Sequence, residues 1–484
     1  MLHERIGDET ALVVDLDRTL ITGDVAMEAC VQEAKRGLVA LCVLLWARLR
    51  GKARLKSLLA RRVPVDPARL NYRPEVLELV AHARRQRRQV ILASAAHWRN
   101  ARRVAAHLGL FDAVIASGAR NNAKGGAKLT AIRAALGNRP FDYVGDCSAD
   151  RRIWREARVA YTVEAPTGMA HEERIAPARS RSRALIKAAR PHQWAKNALV
   201  FVPLASSGLL ANLHAIGQSL LAFATMSLIA SSVYLLNDLL DIESDRGHAK
   251  KRHRPLASGA LPIPHALVAC VAFAAAGLAL AWQLGLPSFS AMATYFGLTL
   301  AYSMRLKAAM IADVLTLACL YTIRIIAGAA AIAVPVSSWL LLFSVFFFLS
   351  LGYLKRYVEL RSSAREPDEL LSGRGYTRSD TEIVAISGLA AGMVSILVMV
   401  LFAEAMGKSG AYATPQLLWL LPLPLLYWLN RIWMMGRRGQ VDSDPVAFAI
   451  TDAKSIAVGG ALGGILVAAK FATIGHWLPQ LGIA

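Results

Sequence analysis

An abrupt change in the distribution of apolar residues constrains this chain more than any other feature. Residues 1–190 alternate charged and apolar stretches, whereas residues 191–484 contain long apolar runs. A helix needs about 20 apolar residues to cross the hydrocarbon core of a bilayer. The chain is therefore expected to fold as a soluble domain followed by an all-α polytopic membrane domain, which excludes a single soluble enzyme and a disordered chain.

The second part of the chain predicts about nine transmembrane helices. They cover the ranges 195–212, 216–238, 264–284, 287–303, 309–333, 336–354, 382–405, 414–434 and 453–475. The loops on one side carry Arg246, Lys250, Lys251, Arg252, Arg254, Arg305, Lys307, Lys355, Arg356, Arg361, Arg365, Arg374, Arg378, Arg437 and Arg438, and those on the other side carry Lys408. Because basic loops stay in the cytosol, this bias predicts a multi-pass protein of the inner (cytoplasmic) membrane, with the N-terminal domain cytosolic and the C-terminus on the outer side. The first residues lack the apolar core of a signal peptide, which agrees with that orientation.

The formal net charge of +22 arises from 56 Lys and Arg against 34 Asp and Glu. In nucleic-acid-binding proteins such an excess forms one stripe or face. Here the cations follow the membrane loops and the segments suited to phosphates. We therefore predict a membrane and anionic substrates as partners, and no nucleic acid. The sequence is compatible with a homo-oligomer.

Three short apolar runs in the first part each end in a polar residue. They are ALVVDLD (11–17), RQVILAS (88–94) and FDYVGD (141–146). Strands that alternate with helices favour a parallel sheet with helices on both faces and ligands at the carboxyl ends of the strands. The basic, amphipathic residues 26–70 predict an inserted layer of helices. The polar residues 164–189 predict a linker, which gives domains 1–163 and 190–484.

The ends of these strands carry residues suited to phosphoryl transfer. In chain order they are Asp15, Asp17 and Thr19 in DLDRT, Ser94 in VILAS, Lys124 in NAKG, and Asp146 and Asp150 in GDCSAD. The four pieces in this order resemble the haloacid dehalogenase (HAD) phosphatase superfamily over residues 11–150. The resemblance implies an α/β Rossmannoid domain with residues 26–70 as a helical cap.

The same resemblance implies a role for each catalytic residue. Asp15 is expected to attack phosphorus as the nucleophile. Asp17 is expected to protonate the leaving alcohol and then to activate water. Ser94 and Lys124 are expected to neutralise the transferring oxygens, with Lys128 as the rival for the lysine role.

Mg²⁺ is the cofactor that this resemblance implies. The expected ligands are Asp15, Asp146, Asp150 and the backbone carbonyl of Asp17, while Thr19 is expected to contact the substrate. Such a cation lets a carboxylate approach an anionic phosphate.

The second predicted span ends in an acidic segment, NDLLDIESD (237–245). Asp238, Asp241 and Asp245 lie three and four residues apart, so a continuous helix would carry them on one face. Carboxylates at a membrane boundary are costly and indicate function, and oxygen ligands at this density suit Mg²⁺ bridged to phosphates. The basic run 250–254 that follows predicts cationic walls for a diphosphate site.

The motif NDxxDxxxD after the second span resembles the first aspartate motif of the UbiA prenyltransferase superfamily, over about residues 190–475. The second aspartate motif of that family is missing, because the loop after the sixth span reads LKRYVELR (354–361). The segments RPHQWAKN (190–197), NDLLDIESDRGHAKKRHRPLASG (237–259), YSMRLK (302–307) and KRYVEL (355–360) together resemble the decaprenyl-phosphate phosphoribosyltransferase branch. That branch implies phosphoribosyl pyrophosphate as the donor and a polyprenyl phosphate lipid as the acceptor.

The resemblance also implies the site residues of the membrane domain. The expected Mg²⁺ ligands are Asp238, Asp241 and Asp245. The expected substrate-binding residues are Lys196, Asn237, Lys251, Arg254, Tyr302, Lys307, Lys355 and Arg356. Asp313 and Arg324 are costly inside the fifth span, which indicates a function, but an internal ion pair between them explains them as well.

Three functional hypotheses follow. The first is a bifunctional enzyme that transfers 5-phosphoribose to polyprenyl phosphate with release of pyrophosphate and then removes the 5-phosphate in the HAD-like domain. The alternative is a prenyltransferase that uses prenyl diphosphate and a small aromatic acceptor, with an independent phosphatase; the missing second motif counts against it. A transporter is disfavoured, because the acidic motif lies at one membrane face and no inverted repeat is evident.

Overall fold

The computed structural model describes residues 10–118, 125–163, 169, 171–175, 180–362, 366, 368–371, 373–407, 412–441 and 444–472. The chain forms two compact units, of which the first combines residues 1–189 with 234–271 and the second combines 190–233 with 272–484. The acidic segment 237–245 therefore belongs to the same unit as the α/β domain.

A parallel six-stranded sheet forms the centre of the first unit. Its strands are β1 (Ala11–Val14), β2 (Val90–His97), β3 (Ala113–Ser117), β4 (Phe141–Gly145), β5 (Ala160–Thr162) and β6 (Glu172–Arg174). Their order is β3-β2-β1-β4-β5-β6, and each neighbouring pair is parallel. The predicted α/β class is confirmed.

Both faces of this sheet are covered by apolar cores. Successive side chains of a strand point to opposite faces. Accordingly, Leu12 and Val14 pack in one core, and Ala11 and Val13 pack in the other. The central strand β1 is therefore apolar at every position, and the first polar side chain, Asp15, appears where the strand ends.

The helices of the α/β domain account for the segments between strands. They are α1 (Val25–Ala34), α2 (Leu38–Leu49), α3 (Lys52–Arg62), α4 (Pro74–Arg85), α5 (Trp98–Leu108), α6 (Gly126–Leu136), α7 (Arg151–Glu156) and α8 (Arg181–Ala189). Helices α1, α2 and α3 occupy most of the inserted stretch 26–70. Two elements, β6 and α8, lie inside the stretch 164–189 that was expected to be a linker.

The rest of the chain is helical. Its helices are α9 (Val202–Ser206), α10 (Leu213–Leu240), α11 (Ile242–Arg246), α12 (Ile263–Gln283), α13 (Leu286–Met304), α14 (Ala312–Ala331), α15 (Ser338–Ser362), α16 (Thr381–Gly407), α17 (Pro422–Arg437), α18 (Pro445–Thr451) and α19 (Ala453–Phe471). Within the described residues, seven helical stretches are long and apolar enough to cross a membrane, namely Leu213–Leu240, Ile263–Gln283, Ala312–Ala331, Ser338–Ser362, Arg378–Gly407, Pro415–Arg437 and Ala453–Phe471.

Two of the nine predicted spans are not among these seven, so the count of nine is not confirmed. The range 195–212 forms a 3₁₀ helix (Pro191–Phe201) and the short helix α9, and Gly208 follows with a φ of +76°. Helix α13 has 19 residues, but its Ser, Thr and Tyr side chains make it less apolar than the seven spans.

Close helix packing positions one polar cluster of the second unit. An added Cβ at Gly328 in α14 would lie 2.1 Å from the carbonyl oxygen of Val200, so only glycine permits this approach. Small residues at helix contacts are typical of membrane proteins. The 3₁₀ helix that carries Lys196 and Asn197 is thereby held against α14.

Candidate functional site

Asp15 occupies the centre of the α/β domain's candidate site. It follows β1, its N–H donates to the carbonyl of Val144 in the neighbouring strand at 3.0 Å, and its side chain is buried. The chain then turns sharply, with Arg18 in the left-handed region at a φ of +60°. This turn returns Arg18 to the sheet edge, where its guanidinium lies 3.4 Å from Asp146.

Asp17 lies beside the first turn of α1. Its Oδ1 accepts a hydrogen bond from the N–H of Val25 at 2.9 Å. Burial, together with the nearby charge of Asp24, raises the pKa of Asp17 well above its ordinary value. A carboxyl with a raised pKa suits a general acid.

Among the residues that the structure describes, one group has the spacing of metal ligands, and it consists of Asp146, Cys147 and Asp150. Their ligand atoms all lie within 4.8 Å of one another. Burial raises the pKa of Asp146 to about 7 and that of Asp150 to about 6, and the neighbouring carboxylate of Asp15 adds to both shifts. Asp150 Oδ2 is buried without a hydrogen-bond partner among the described residues. Crowded carboxylate oxygens with an unsatisfied buried atom fit a hard divalent cation such as Mg²⁺.

Lys128 in α6 reaches the nucleophile. Its buried ammonium lies 3.0 Å from Asp15 Oδ1 and 3.4 Å from Asp150 Oδ1, and it donates to the hydroxyl of Tyr143 at 3.0 Å. Although burial opposes the charge, the two carboxylates raise the pKa of Lys128, which therefore stays protonated. Lys124 lies outside the described residues, so its predicted role is untested.

Ser94 lies on β2, next to β1 in the sheet, and it is fully buried. Its hydroxyl accepts a hydrogen bond from the N–H of Ala96 at 2.9 Å. Thr19 is fully buried in the turn that follows Asp15. Ser94 was expected to end its strand but lies inside β2, past the point where the paired strand β1 ends, and Thr19 lies in the turn that follows β1.

Lys128→Ala is expected to lower phosphatase turnover by about 10²–10³-fold, because it removes a cation from a buried site beside the nucleophile. Lys124→Ala is the matched control and should stay near the wild-type rate. Hydrolysis of a soluble phosphate ester measures both. A large loss in Lys124→Ala with a normal Lys128→Ala would return the role to Lys124.

The acidic segment at the end of α10 does not form one continuous helical face. The helix is interrupted at Asp241, and α11 begins at Ile242. The i→i+4 hydrogen bonds continue through the break, from Asp241 N to Asn237 O at 2.9 Å and from Asp245 N to Asp241 O at 2.8 Å. The break redirects Asp241 while it keeps the segment compact.

Arg254 joins two of the three predicted metal ligands. Its Nη1 lies 3.2 Å from Asp238 Oδ1 and 2.7 Å from Asp245 Oδ2, and both carboxylates are buried. Asp241 instead lies 3.6 Å from Lys35. The structure therefore brings Asp238 and Asp245 together and places a cation from the basic loop between them, while the predicted contact of Arg254 with a phosphate stays a prediction.

The second unit holds a cluster that the sequence revealed only in part. The ammonium of Lys196 forms an ion pair with Asp444, and Lys355 lies close enough to act on both charges. Burial alone would raise the pKa of Asp444, but Lys196 and Lys355 together lower it. Asp444 was not predicted, because a single acid at the start of α18 resembles any helix cap, and its side chain does cap that helix. Two lysines against one carboxylate leave excess positive charge, which suits an anionic phosphate.

The predicted ion pair between Asp313 and Arg324 is wrong. Arg324 donates to Asn197 Oδ1 at 2.9 Å and to the hydroxyl of Tyr295 at 3.0 Å. Asp313 pairs instead with Arg356 at 2.7 Å. Both residues belong to α14 but lie eleven positions apart, so each meets a different neighbouring helix.

Arg356 forms part of a buried charge network. Its side chain is fully buried, pairs with Asp313 and contacts Glu359, and the hydroxyl of Tyr376 donates to Asp313 at 2.9 Å. With two carboxylates at its guanidinium, this arginine is already neutralised. Its predicted phosphate contact is untested, and the geometry favours a packing role.

Asp313→Asn is expected to lower the free energy of unfolding by about 3–5 kcal/mol, because it leaves a buried arginine without its one fully buried counter-charge among the described residues. Thermal unfolding of the full chain in detergent measures the shift. Glu156→Gln removes the exposed partner of Arg133 and should cost no more than about 1 kcal/mol. Equal shifts in the two variants would contradict the assignment.

The remaining predicted substrate residues lie in more open positions. Tyr302 accepts a hydrogen bond from Arg374 at 3.0 Å, and Arg374 also donates to the carbonyl of Lys307. Asn237 and Lys307 are half-buried, and Lys251 is exposed. Arg374 was not among the predicted residues.

Two family models match the chain. The model described as UbiA prenyltransferase family matches residues 199–451, and that described as haloacid dehalogenase-like hydrolase matches residues 12–155. A Sinorhizobium fredii protein described as "Uncharacterized protein y4nM" is 33% identical over 470 residues, which cover 95% of this chain and 90% of that protein. The chain therefore belongs to the UbiA prenyltransferase family and carries a HAD-like domain at its N-terminal side.

A more specific relative matches part of the chain. The decaprenyl-phosphate phosphoribosyltransferase of Mycolicibacterium smegmatis is 40% identical over 185 residues, which cover 37% of this chain and 58% of that enzyme. The match thus spans less than two thirds of that relative. Among solved structures, a UbiA homolog from Archaeoglobus fulgidus bound to DMAPP and Mg²⁺ aligns with a TM-score of 0.45 and 17% identity over 60% of this chain and 99% of that one. Together with the apolar helices, the family makes this a multi-pass membrane enzyme.

Proposed function

We propose that this protein transfers 5-phosphoribose from phosphoribosyl pyrophosphate to a polyprenyl phosphate and then removes the 5-phosphate in its HAD-like domain. The observation that carries the proposal is the buried pair Asp238 and Asp245, with Arg254 between them. One acidic cluster accompanied by a cation suits one diphosphate.

The region where the family has its second aspartate motif supports the same substrate choice. Near its C-terminal end, α15 presents Lys355, Arg356 and Glu359, and the last two form an ion pair with each other. The cations of Lys196 and Lys355 suit a second substrate that carries a phosphate monoester or diester instead of a second metal-bound diphosphate. The similarity to decaprenyl-phosphate phosphoribosyltransferases agrees with this choice.

In the transfer step, an oxygen of the lipid phosphate attacks ribose C1, and the C1–O bond to pyrophosphate breaks. Asp238, Asp241 and Asp245 would hold Mg²⁺, which would offset the negative charge of the departing pyrophosphate. Arg254 would bind the same pyrophosphate by charge-assisted hydrogen bonds. Lys196 and Lys355 would hold the lipid phosphate.

In the hydrolytic step, Asp15 attacks the phosphorus of the 5-phosphate, the P–O bond to the ribose 5-oxygen breaks, and Asp17 gives its proton to that oxygen. Asp17 then takes a proton from the water that hydrolyses the aspartyl phosphate. Lys128 and Ser94 stabilise the transferring oxygens. Asp15, Asp146 and Asp150 would hold the Mg²⁺ of this site. The products are inorganic phosphate and polyprenyl-phosphoryl-ribose.

The orientation follows from the distribution of Lys and Arg in the sequence. We propose that the α/β domain lies in the cytosol and that the protein resides in the cytoplasmic membrane. Phosphoribosyl pyrophosphate carries several negative charges and does not cross a bilayer unaided. A donor site on the cytosolic side would therefore use donor from the cytosol.

The test uses the purified protein with Mg²⁺, ribose-labelled phosphoribosyl pyrophosphate and a polyprenyl phosphate. Label is expected in the lipid phase, and separation of the lipids reports whether the 5-phosphate remains. A folded protein that transfers no label would overturn the proposal. Prenyl diphosphates with aromatic acceptors, supplied to the same preparation, test the alternative reaction.

A further inference from the structure

Helix α1 of the cap carries a polar stripe that faces the acidic segment. Glu28, Gln32 and Lys35 are spaced by four and three residues, so they lie on one face of the helix. Their partners run in the opposite chain direction. The three contacts join Glu28 to Arg246, Gln32 to Glu243, and Lys35 to Asp241.

The first contact is the strongest of the three. Both guanidinium nitrogens of Arg246 donate to Glu28, at 2.7 Å and 2.6 Å, and the Arg246 side chain is buried. Bidentate arginine–carboxylate pairs fix orientation as well as distance. Arg246 also donates to the carbonyl of Ala257 at 3.1 Å, so the end of α11 is tied both to α1 and to its own following loop.

The last contact reaches a predicted metal ligand. The ammonium of Lys35 lies 3.6 Å from Asp241 Oδ1 and donates to the carbonyl of Leu240 at 3.3 Å. Leu240 and Asp241 are the residues at which α10 ends and the acidic segment changes direction. Lys35 therefore contacts both the side chain of Asp241 and the backbone carbonyl of the residue before it.

Other contacts support the same arrangement. Arg69, which follows the cap helices, lies 3.6 Å from Glu243, and the side-chain amide of Asn71 donates to the carbonyl of Ala257. An added Cβ at Gly259 would lie 2.5 Å from the Thr22 side chain, so the loop after the acidic segment packs closely on the turn before α1. The acidic segment is thus held along its length by the α/β domain.

We propose that the stripe Glu28, Gln32 and Lys35 positions Asp241 for binding of the donor's magnesium diphosphate, so that the cap of the HAD-like domain supports the acidic segment that binds the donor. Lys35 acts through Asp241 as a positioning residue. The inference rests on the proposed function only for the identity of the donor. The ligand chemistry itself is a diphosphate with a divalent cation.

The exposure of Lys35 separates this role from a role in stability. Half of its side chain is exposed, and exposed ion pairs contribute little to the stability of a fold. Lys35→Ala should therefore fold normally. Substitution of residues that orient metal ligands typically lowers metal affinity by about 10–100-fold. The Lys35→Ala variant should therefore need Mg²⁺ and donor concentrations about ten-fold higher or more for half-maximal transfer.

Three variants accompany Lys35→Ala. Lys35→Arg keeps the charge and should restore most of the lost affinity. Lys52→Ala removes an exposed cation of the same cap, from α3, and should behave as the wild type. Glu28→Arg should weaken donor binding, and the double variant Glu28→Arg with Arg246→Glu should recover it, because the ion pair is re-formed with reversed charges.

A binding measurement gives a readout that does not depend on turnover. Inorganic pyrophosphate with Mg²⁺ is titrated calorimetrically into the full-length protein carrying Asp146→Asn, which disables the phosphatase metal site. Lys35→Ala should weaken binding about ten-fold in this background. Hydrogen exchange of the amides of residues 241–246 should become faster in Glu28→Arg and slow again in the double variant.

The outcomes separate this inference from the proposed function. If wild-type protein transfers no phosphoribose but Lys35→Ala still loses pyrophosphate affinity, the donor assignment fails and the positioning role stands. If Lys35→Ala binds pyrophosphate and Mg²⁺ as the wild type does, the positioning role is overturned. Phosphatase turnover on a soluble ester is measured in every variant and should not change with Lys35→Ala, since the other end of α1, at Val25, still binds Asp17.

Discussion

Asp15→Asn is expected to convert the enzyme into a source of 5-phosphorylated lipid. The asparagine amide cannot attack phosphorus, and loss of a nucleophile lowers turnover by at least about 10³-fold. The acidic cluster around Arg254 is untouched by this change, so transfer of phosphoribose should continue. The product that accumulates in the lipid phase should therefore carry both its bridging phosphate and its 5-phosphate.

The measurement separates the labelled lipids after a reaction with ribose-labelled donor and polyprenyl phosphate. Glu78→Gln neutralises an exposed carboxylate of the same domain and serves as the matched control, with dephosphorylated lipid as its product. Release of dephosphorylated lipid by Asp15→Asn at the wild-type rate would contradict the two-step reaction. The HAD-like domain would then act on another phosphate ester.

Asp238→Asn should abolish transfer and spare hydrolysis. The substitution keeps the size of the side chain but removes one of two buried negative charges that flank Arg254. A site that has lost one of its carboxylates for a divalent cation stabilises the departing pyrophosphate less well, which costs about 10²–10³-fold in turnover. Asp245 still pairs with Arg254, so the local fold should persist.

Label in the lipid phase measures the transfer, and hydrolysis of a soluble phosphate ester measures the other site in the same preparation. Glu382→Gln, at an exposed position in the first turn of α16, is the control for loss of one carboxylate in the membrane part of the chain. Transfer by Asp238→Asn at more than about a tenth of the wild-type rate would remove the acidic cluster from the donor site.

Much of the α/β domain could be predicted from the sequence because its signals are local. A buried central strand must be apolar at each position, and the residues that end it are the ones that a parallel sheet gathers at one edge. Asp15, Asp146 and Asp150 were predicted on that basis. Asp15 and Asp150 do contact Lys128, and Asp146 and Asp150 have ligand atoms close enough to share one ion. The contact of Lys128 with Asp15 is not a local feature, because it depends on how α6 packs on the sheet, and the predicted role of Lys124 stays a prediction.

The membrane part was predicted less completely. Hydropathy identifies long apolar helices, and seven of the predicted spans satisfy it in the described residues. It does not reveal which buried charges meet. Asp313 was expected to pair within its own helix, yet it pairs with Arg356 on α15, since helix packing, and not sequence distance, decides the partner.

The sequence by itself determined the division into a soluble α/β part and an apolar helical part, the order of the phosphatase residues and the presence of one acidic motif beside a basic loop. These features depend on local composition and spacing, which are the same whatever tertiary structure the chain adopts. Only the tertiary structure decided that Arg254 bridges Asp238 and Asp245, that Lys196 meets Asp444, and that the cap helix α1 holds the acidic segment. Each of these contacts joins residues that are distant in sequence or separated by a turn, and their partners are set by packing of the two cores and of the helices.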